Sequence, residues 1–161
     1  MQRKKLSREQ ALQKLRHYCR YQERCRMEVR NKMAELGVPK TDHEALIEIL
    51  LDEKYLDEVR FALSFAIGHF RMRHWGKRKI RFELKAKYIR DHDIATALAG
   101  ISEEEYSNGF QNLARDRYAG LDGEHHLTRK KKTMDFLTQK GFEPDLVRDF
   151  LNQITKQKDQ P

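Results

Sequence analysis

Three segments of this chain can be laid beneath one another: Val29-xxx-Met33-xx-Leu36-Gly37-Val38, Ile80-xxx-Leu84-xx-Lys87-Tyr88-Ile89 and Thr133-xxx-Leu137-xx-Lys140-Gly141-Phe142, offset by 51 and 53 residues. Steps of four and three residues keep positions on one helix face, and the glycine closing two of the segments marks a helix end. Each segment follows a longer helical pattern and precedes a short capped one. The sequence therefore predicts three tandem three-helix units, at residues 1–54, 55–100 and 101–161. Units this small cannot bury their apolar faces alone, whereas stacked units share a core. The expected fold is all-α, an elongated, curved array of three-helix repeats with one long face left for a partner.

The remaining sequence agrees with helices throughout. Strong helix formers dominate, prolines number only three, and no stretch alternates with strand periodicity for long. Ser7 with Gln10, Thr41 with Glu44 and Ser102 with Glu105 have capping-box spacing. Asp57 and Asp91 are N-cap candidates, and Pro144 with Asp145 opens a last helix. The helix starting at Asp57 carries Phe61, Phe65, Ile67, Phe70 and Met72, with Leu63 on a second flank, which predicts a central helix packed on two sides. The polar end KQKDQP is expected to fray.

Charge is concentrated in the middle unit. Arg71 to Arg90, RMRHWGKRKIRFELKAKYIR, holds nine Lys/Arg and one acid, so its net of +8 equals that of the whole chain. Excess charge confined to one segment points to a localised anionic partner, although a solvated helix face has the same composition. The candidate donors are Arg71, Arg73, Lys77, Arg78, Lys79, Arg81, Lys85 and Lys87; Arg78, Arg81 and Lys85 share a face while Ile80 and Leu84 turn inward. Trp75, the only tryptophan, either stacks on a base, anchors an interface or plugs a helix junction. Arg129, Lys130, Lys131 and Lys132 form a secondary basic patch, with Arg3, Lys4 and Lys5 a lesser one, but four consecutive cations cannot occupy a single face.

Catalytic chemistry finds no support. Cys19 and Cys25 lack a CxxC spacing, the histidines are scattered, and Gly76-Lys77 is followed by Arg78 where a phosphate loop needs Ser or Thr. No nucleophile sits with its base, and neither cofactor nor metal is expected. No apolar region follows the basic start, and no run approaches the roughly 18 apolar residues of a membrane span. A cytoplasmic, membrane-free protein is the expectation.

Two stretches resemble a known family. YLDEVRFALSFAIGHFR (Tyr55 to Arg71), with its Leu/Asp opening and Arg60-Phe61-Ala62 centre, and WGKRKIRFELKAKYI (Trp75 to Ile89), with glycine, basic cluster, isoleucine and leucine, are similar to the RecX regulators of the bacterial recombinase RecA. One position departs: Tyr88 stands where the family pattern has a helix-ending glycine, which Gly37 and Gly141 keep. The resemblance implies a modular, all-helical, non-enzymatic monomer that binds RecA and lodges in the groove of its filament on single-stranded DNA. It would thereby limit ATP hydrolysis, strand exchange and self-cleavage of the LexA-type repressor. It also implies affinity for single- or double-stranded DNA, and it adds Arg60 to the expected RecA/DNA-binding face. On the residues alone, a nucleic-acid-binding helical module without a RecA partner is the alternative.

Overall fold

The computed structural model describes residues 5–158, and among them the chain forms nine helices and no strand. In order these are α1 (Arg8–Tyr21), α2 (Arg26–Glu35), α3 (Lys40–Asp52), α4 (Glu58–Arg73), α5 (Lys77–Ala86), α6 (Asp91–Ala99), α7 (Glu103–Gly120), α8 (His126–Gln139) and α9 (Pro144–Lys158). The all-helical class is as the sequence indicates.

Helix starts follow local chemistry, with corrections. Ser7 and Gln10 form the expected reciprocal box: the Gln10 N–H donates to Ser7 Oγ at 3.1 Å and the Ser7 N–H to Gln10 Oε1 at 2.9 Å. Asp57 caps α4 through the Arg60 N–H at 2.9 Å. Ser102 caps α7, but Glu105 turns its carboxylate to Arg71 instead of closing the box. The Thr41 box does not form. Pro39 already holds the extended conformation of an N-cap and accepts from the Asp42 N–H, so α3 begins before Thr41, and Glu44 pairs with Arg30. Asp91 is the first residue of α6 and its carboxylate lies 3.3 Å from Lys85. Of the expected fraying tail, Lys156 and Lys158 lie within α9 and Asp159 to Pro161 lie outside the described residues.

The chain divides into two compact units. The first comprises the residues up to Ser64 together with Lys85–Ala97. Its core gathers Leu12, Leu15, Cys19, Val29, Met33, Leu46, Ile47, Leu50 and Leu56. The second comprises Phe65–Leu84 and the residues from Leu98 onward. An aromatic chain runs through it, with ring centroids 5.5 Å apart from Phe70 to Tyr106, 5.6 Å from Tyr106 to Phe142, 5.1 Å from Phe142 to Phe110 and 5.3 Å from Phe110 to Phe150. Met72 and Leu63, assigned to the apolar flanks of α4, are 84% and 36% exposed instead. Phe61, Ala62, Ala66 and Phe70 are the residues that α4 buries, a single stripe.

The repeated positions behave alike. Val29 and Met33 of α2, Ile80 and Leu84 of α5, and Thr133 and Leu137 of α8 are all 0% exposed. Thr133 tolerates this because its hydroxyl donates to the Arg129 carbonyl at 2.8 Å. The helix ends also match. Gly37, Tyr88 and Gly141 have φ of 78°, 62° and 95°, and each N–H reaches the carbonyl three residues back, at 3.1, 2.9 and 3.0 Å. Tyr88 thus makes the turn of its glycine counterparts, in a left-handed conformation that costs a side-chain-bearing residue about 1–2 kcal/mol.

Candidate functional site

The basic stretch begins α5 with Lys77, Arg78 and Lys79, where the helix dipole disfavours cations. Neighbouring chain in the second unit meets that end. The Gly76 N–H donates to the Lys140 carbonyl at 2.7 Å and the Arg78 N–H to the Gly141 carbonyl at 3.0 Å, so the carbonyl end of α8 supplies partners for first-turn donors of α5. The Lys77 N–H donates to Tyr106 Oη at 3.0 Å, and that hydroxyl donates to Glu143 at 2.8 Å. Burial raises the Tyr106 pKa strongly, so the phenol keeps its proton. Only glycines permit this approach: a Cβ on Gly76 would lie 2.4 Å from the backbone of Gly141 and Phe142, and one on Gly141 2.3 Å from Lys79 Cβ.

These backbone N–H groups are therefore already engaged, and recognition falls to side chains. Arg73, Arg78 and Arg81 are exposed and have no carboxylate within 4 Å among the described residues. Arg71 is exposed too, but it grips Glu105 at 2.6 and 3.3 Å, and this hydrogen bond holds the Glu105 carboxyl below its ordinary pKa. The Lys77 ammonium sits 4.7 Å from the Tyr106 ring centre, and that of Lys79 sits 4.6 Å from Trp75. Trp75 is half-buried in a stack, its ring 4.4 Å from His69, which lies 3.9 Å from Phe65. Lys85 and Lys87 fall in the first unit, where Lys85 pairs with Asp91 and Lys87 has no acidic partner among the described residues.

Other candidates have structural duties. Arg60, in the first unit, donates through Nε to Glu23 at 2.6 Å and through an Nη to the Lys54 carbonyl at 3.0 Å. Arg129 corrects the surface-patch expectation. It is 8% exposed, its Nε donates to the Tyr118 carbonyl at 2.7 Å, and its guanidinium lies 3.7 Å from the Tyr118 ring centre. Lys130 bonds Asn152, Lys131 pairs with Asp135 and Lys132 with Glu124, each within 3.0 Å, so local partners take up that patch. Lys5 is exposed; Arg3 and Lys4 lie outside the described residues.

Sequence reasoning missed Phe82, which is 69% exposed on α5. Helical spacing sets it four residues from Arg78, on the same face of α5, a signal present in the sequence. Among the described residues no cluster of three or more His, Cys, Asp or Glu could hold a metal. None of the described helices is long and apolar enough to cross a membrane.

Comparison with known proteins shows the family and the fold. Family models described as the second and third three-helix domains of RecX match residues 57–98 and 104–151. The chain is 32% identical over 123 residues to the regulatory protein RecX of Vibrio campbellii, covering 74% of this chain and 76% of that one. The chain belongs to the RecX family. A RecX of Leuconostoc mesenteroides is 25% identical over 132 residues, and the match spans 82% of this chain but about half (49%) of that longer RecX. The fold agrees with the crystal structure of RecX from Lactobacillus salivarius, with a TM-score of 0.80, 20% identity, and coverage of 91% of this chain and 96% of that one. These RecX relatives carry the name regulatory protein.

Proposed function

We propose that the chain is a negative regulator of RecA, acting by occupancy. It binds the recombinase, lodges in the groove of the RecA filament on single-stranded DNA, and so limits ATP hydrolysis, strand exchange and repressor cleavage. The observation that carries this reading is the set of exposed, acid-free arginines of the RecX-like middle stretch, Arg73, Arg78 and Arg81. Cations with no internal partner reach an anionic groove without first breaking an ion pair. Arg78, Arg81 and Lys85 share a helix face, with Lys77, Lys79 and Trp75 at its start and Arg71 and Lys87 flanking. Three helical units at 1–54, 55–100 and 101–161, working as a cytoplasmic monomer without enzymatic activity or cofactor, complete the proposal. DNA phosphate within the filament groove is a second contact for the same cations.

The test is the ATPase rate of RecA on single-stranded DNA. The chain should suppress it at well below one copy per nucleotide, and Arg78→Glu with Arg81→Glu should raise the concentration needed by at least about tenfold. An unchanged ATPase rate at saturating protein refutes the reading. A plain nucleic-acid module would instead show binding that needs no RecA and weakens steeply with salt.

A further inference from the structure

A second candidate surface lies in the first unit, separate from α5. Residues of α1, of α2 and of the chain just after each line a groove of about 440 Å3 whose apolar walls include Tyr18, Tyr21 and Leu36. Lys14, Arg24 and Lys32 supply its cations, and no carboxylate lines it. Arg24 is held in place: its Nε donates to the Tyr18 carbonyl at 3.1 Å, near the end of α1, and its guanidinium lies 3.8 Å from the Tyr18 ring centre and 6.0 Å from that of Tyr21. The Lys32 ammonium lies 5.4 Å from the same Tyr18 ring. Tyr21 is 78% exposed, far more than packing requires.

We infer that this groove docks an acidic, amphipathic segment of a partner protein, one apolar side chain entering between Tyr21 and Leu36 while flanking carboxylates meet Lys14, Arg24 and Lys32. Four features favour a peptide. The groove is concave and walled by apolar side chains, which suits an anchoring residue with a charged surround. Two of its three cations, Arg24 and Lys32, gather around one tyrosine, giving a point of positive charge, whereas a nucleic-acid strand is tracked by cations spaced along its phosphates. The Tyr18 ring already carries Arg24 and Lys32, so a base would have to displace them to stack there. The remaining Nη groups of Arg24 have no protein partner among the described residues and are free for a bidentate carboxylate.

The experiment uses the full chain and a dye-labelled synthetic peptide carrying one phenylalanine among aspartates and glutamates. A counterpart with lysines in place of the acids and an oligothymidylate of similar length complete the probes. The acidic peptide should bind and the lysine peptide should not, and nuclear magnetic resonance shifts should centre on Tyr18, Tyr21 and Leu36. Tyr21→Ala and Lys14→Glu, both at exposed positions, should each weaken binding by at least about tenfold, while Lys131→Glu leaves it unchanged. Absence of binding, or equal loss in all three variants, overturns the inference. Oligothymidylate binding that the two groove variants abolish assigns the groove to nucleic acid and overturns it as well.

Discussion

Arg129 and Lys131 stand two residues apart in one basic run, yet they do different work. Arg129 is buried against Tyr118, and its removal takes from the Tyr118 carbonyl the shorter of two donors, the other being the Leu121 N–H at 3.2 Å, and removes the guanidinium from the ring face. Arg129→Ala should lower unfolding free energy by about 2–3 kcal/mol in a urea titration, whereas Lys131→Ala, whose ion pair is exposed, should change it by less than about 0.5 kcal/mol. The sequence makes the run visible but not this division, because Tyr118 lies 11 residues upstream and no local pattern ties it to Arg129. Arg60 is similar: its motif marks it for attention, while its bond to Glu23, 37 residues away, is invisible without the fold.

At the scale of the helix, the repeated ends of α2, α5 and α8 separate what spacing reveals from what it hides. The buried pairs Val29/Met33, Ile80/Leu84 and Thr133/Leu137 are legible because a four-residue step survives any tertiary arrangement. The left-handed turn at Tyr88 is not legible from the residue there, since tyrosine does not favour it. Because Tyr88 is 82% exposed, Tyr88→Gly relieves strain at little cost in packing and should raise stability by about 1 kcal/mol by thermal or urea unfolding. Gly76→Ala should have the opposite outcome. Its Cβ would strike backbone atoms at 2.4 Å, and the variant should lose about 3 kcal/mol or more, or fail to fold. Gly68→Ala is the control within α4: nothing lies within 4 Å of the added methyl, so about 0.5–1 kcal/mol of stabilisation is expected.

For the whole molecule, the division into two units raises the question of cooperativity. Both cysteines lie in the first unit and the sole tryptophan in the second, while α4 and α5 contribute residues to each. Helix continuity makes independent melting costly, so thiol accessibility and Trp75 fluorescence should trace one coincident urea transition. Burial pushes both thiols from 9.0 up to about 11, so the folded chain holds protons that the unfolded chain releases sooner. Their contribution to stability is therefore intact below pH 9.0 and lost as pH climbs toward about 11. Replacing both with alanine should flatten that alkaline decline, as measured by urea midpoints across the window. The all-helical class and the basic stretch were open to sequence reasoning because periodicity and charge are local properties; the internal pairing of charges was not, because it depends on which chains meet.

The union of Gly76 with the end of α8 also bears on how this protein can be dissected. A fragment ending before α8 retains every cation of the basic stretch but lacks the carbonyls of Lys140 and Gly141 that receive the first N–H groups of α5. Lost binding in such a fragment would report an unformed helix start, even with every contacting side chain still present. Point substitutions at Arg78 and Arg81 in the intact chain are thus the means of assigning that surface, and domain deletion is not.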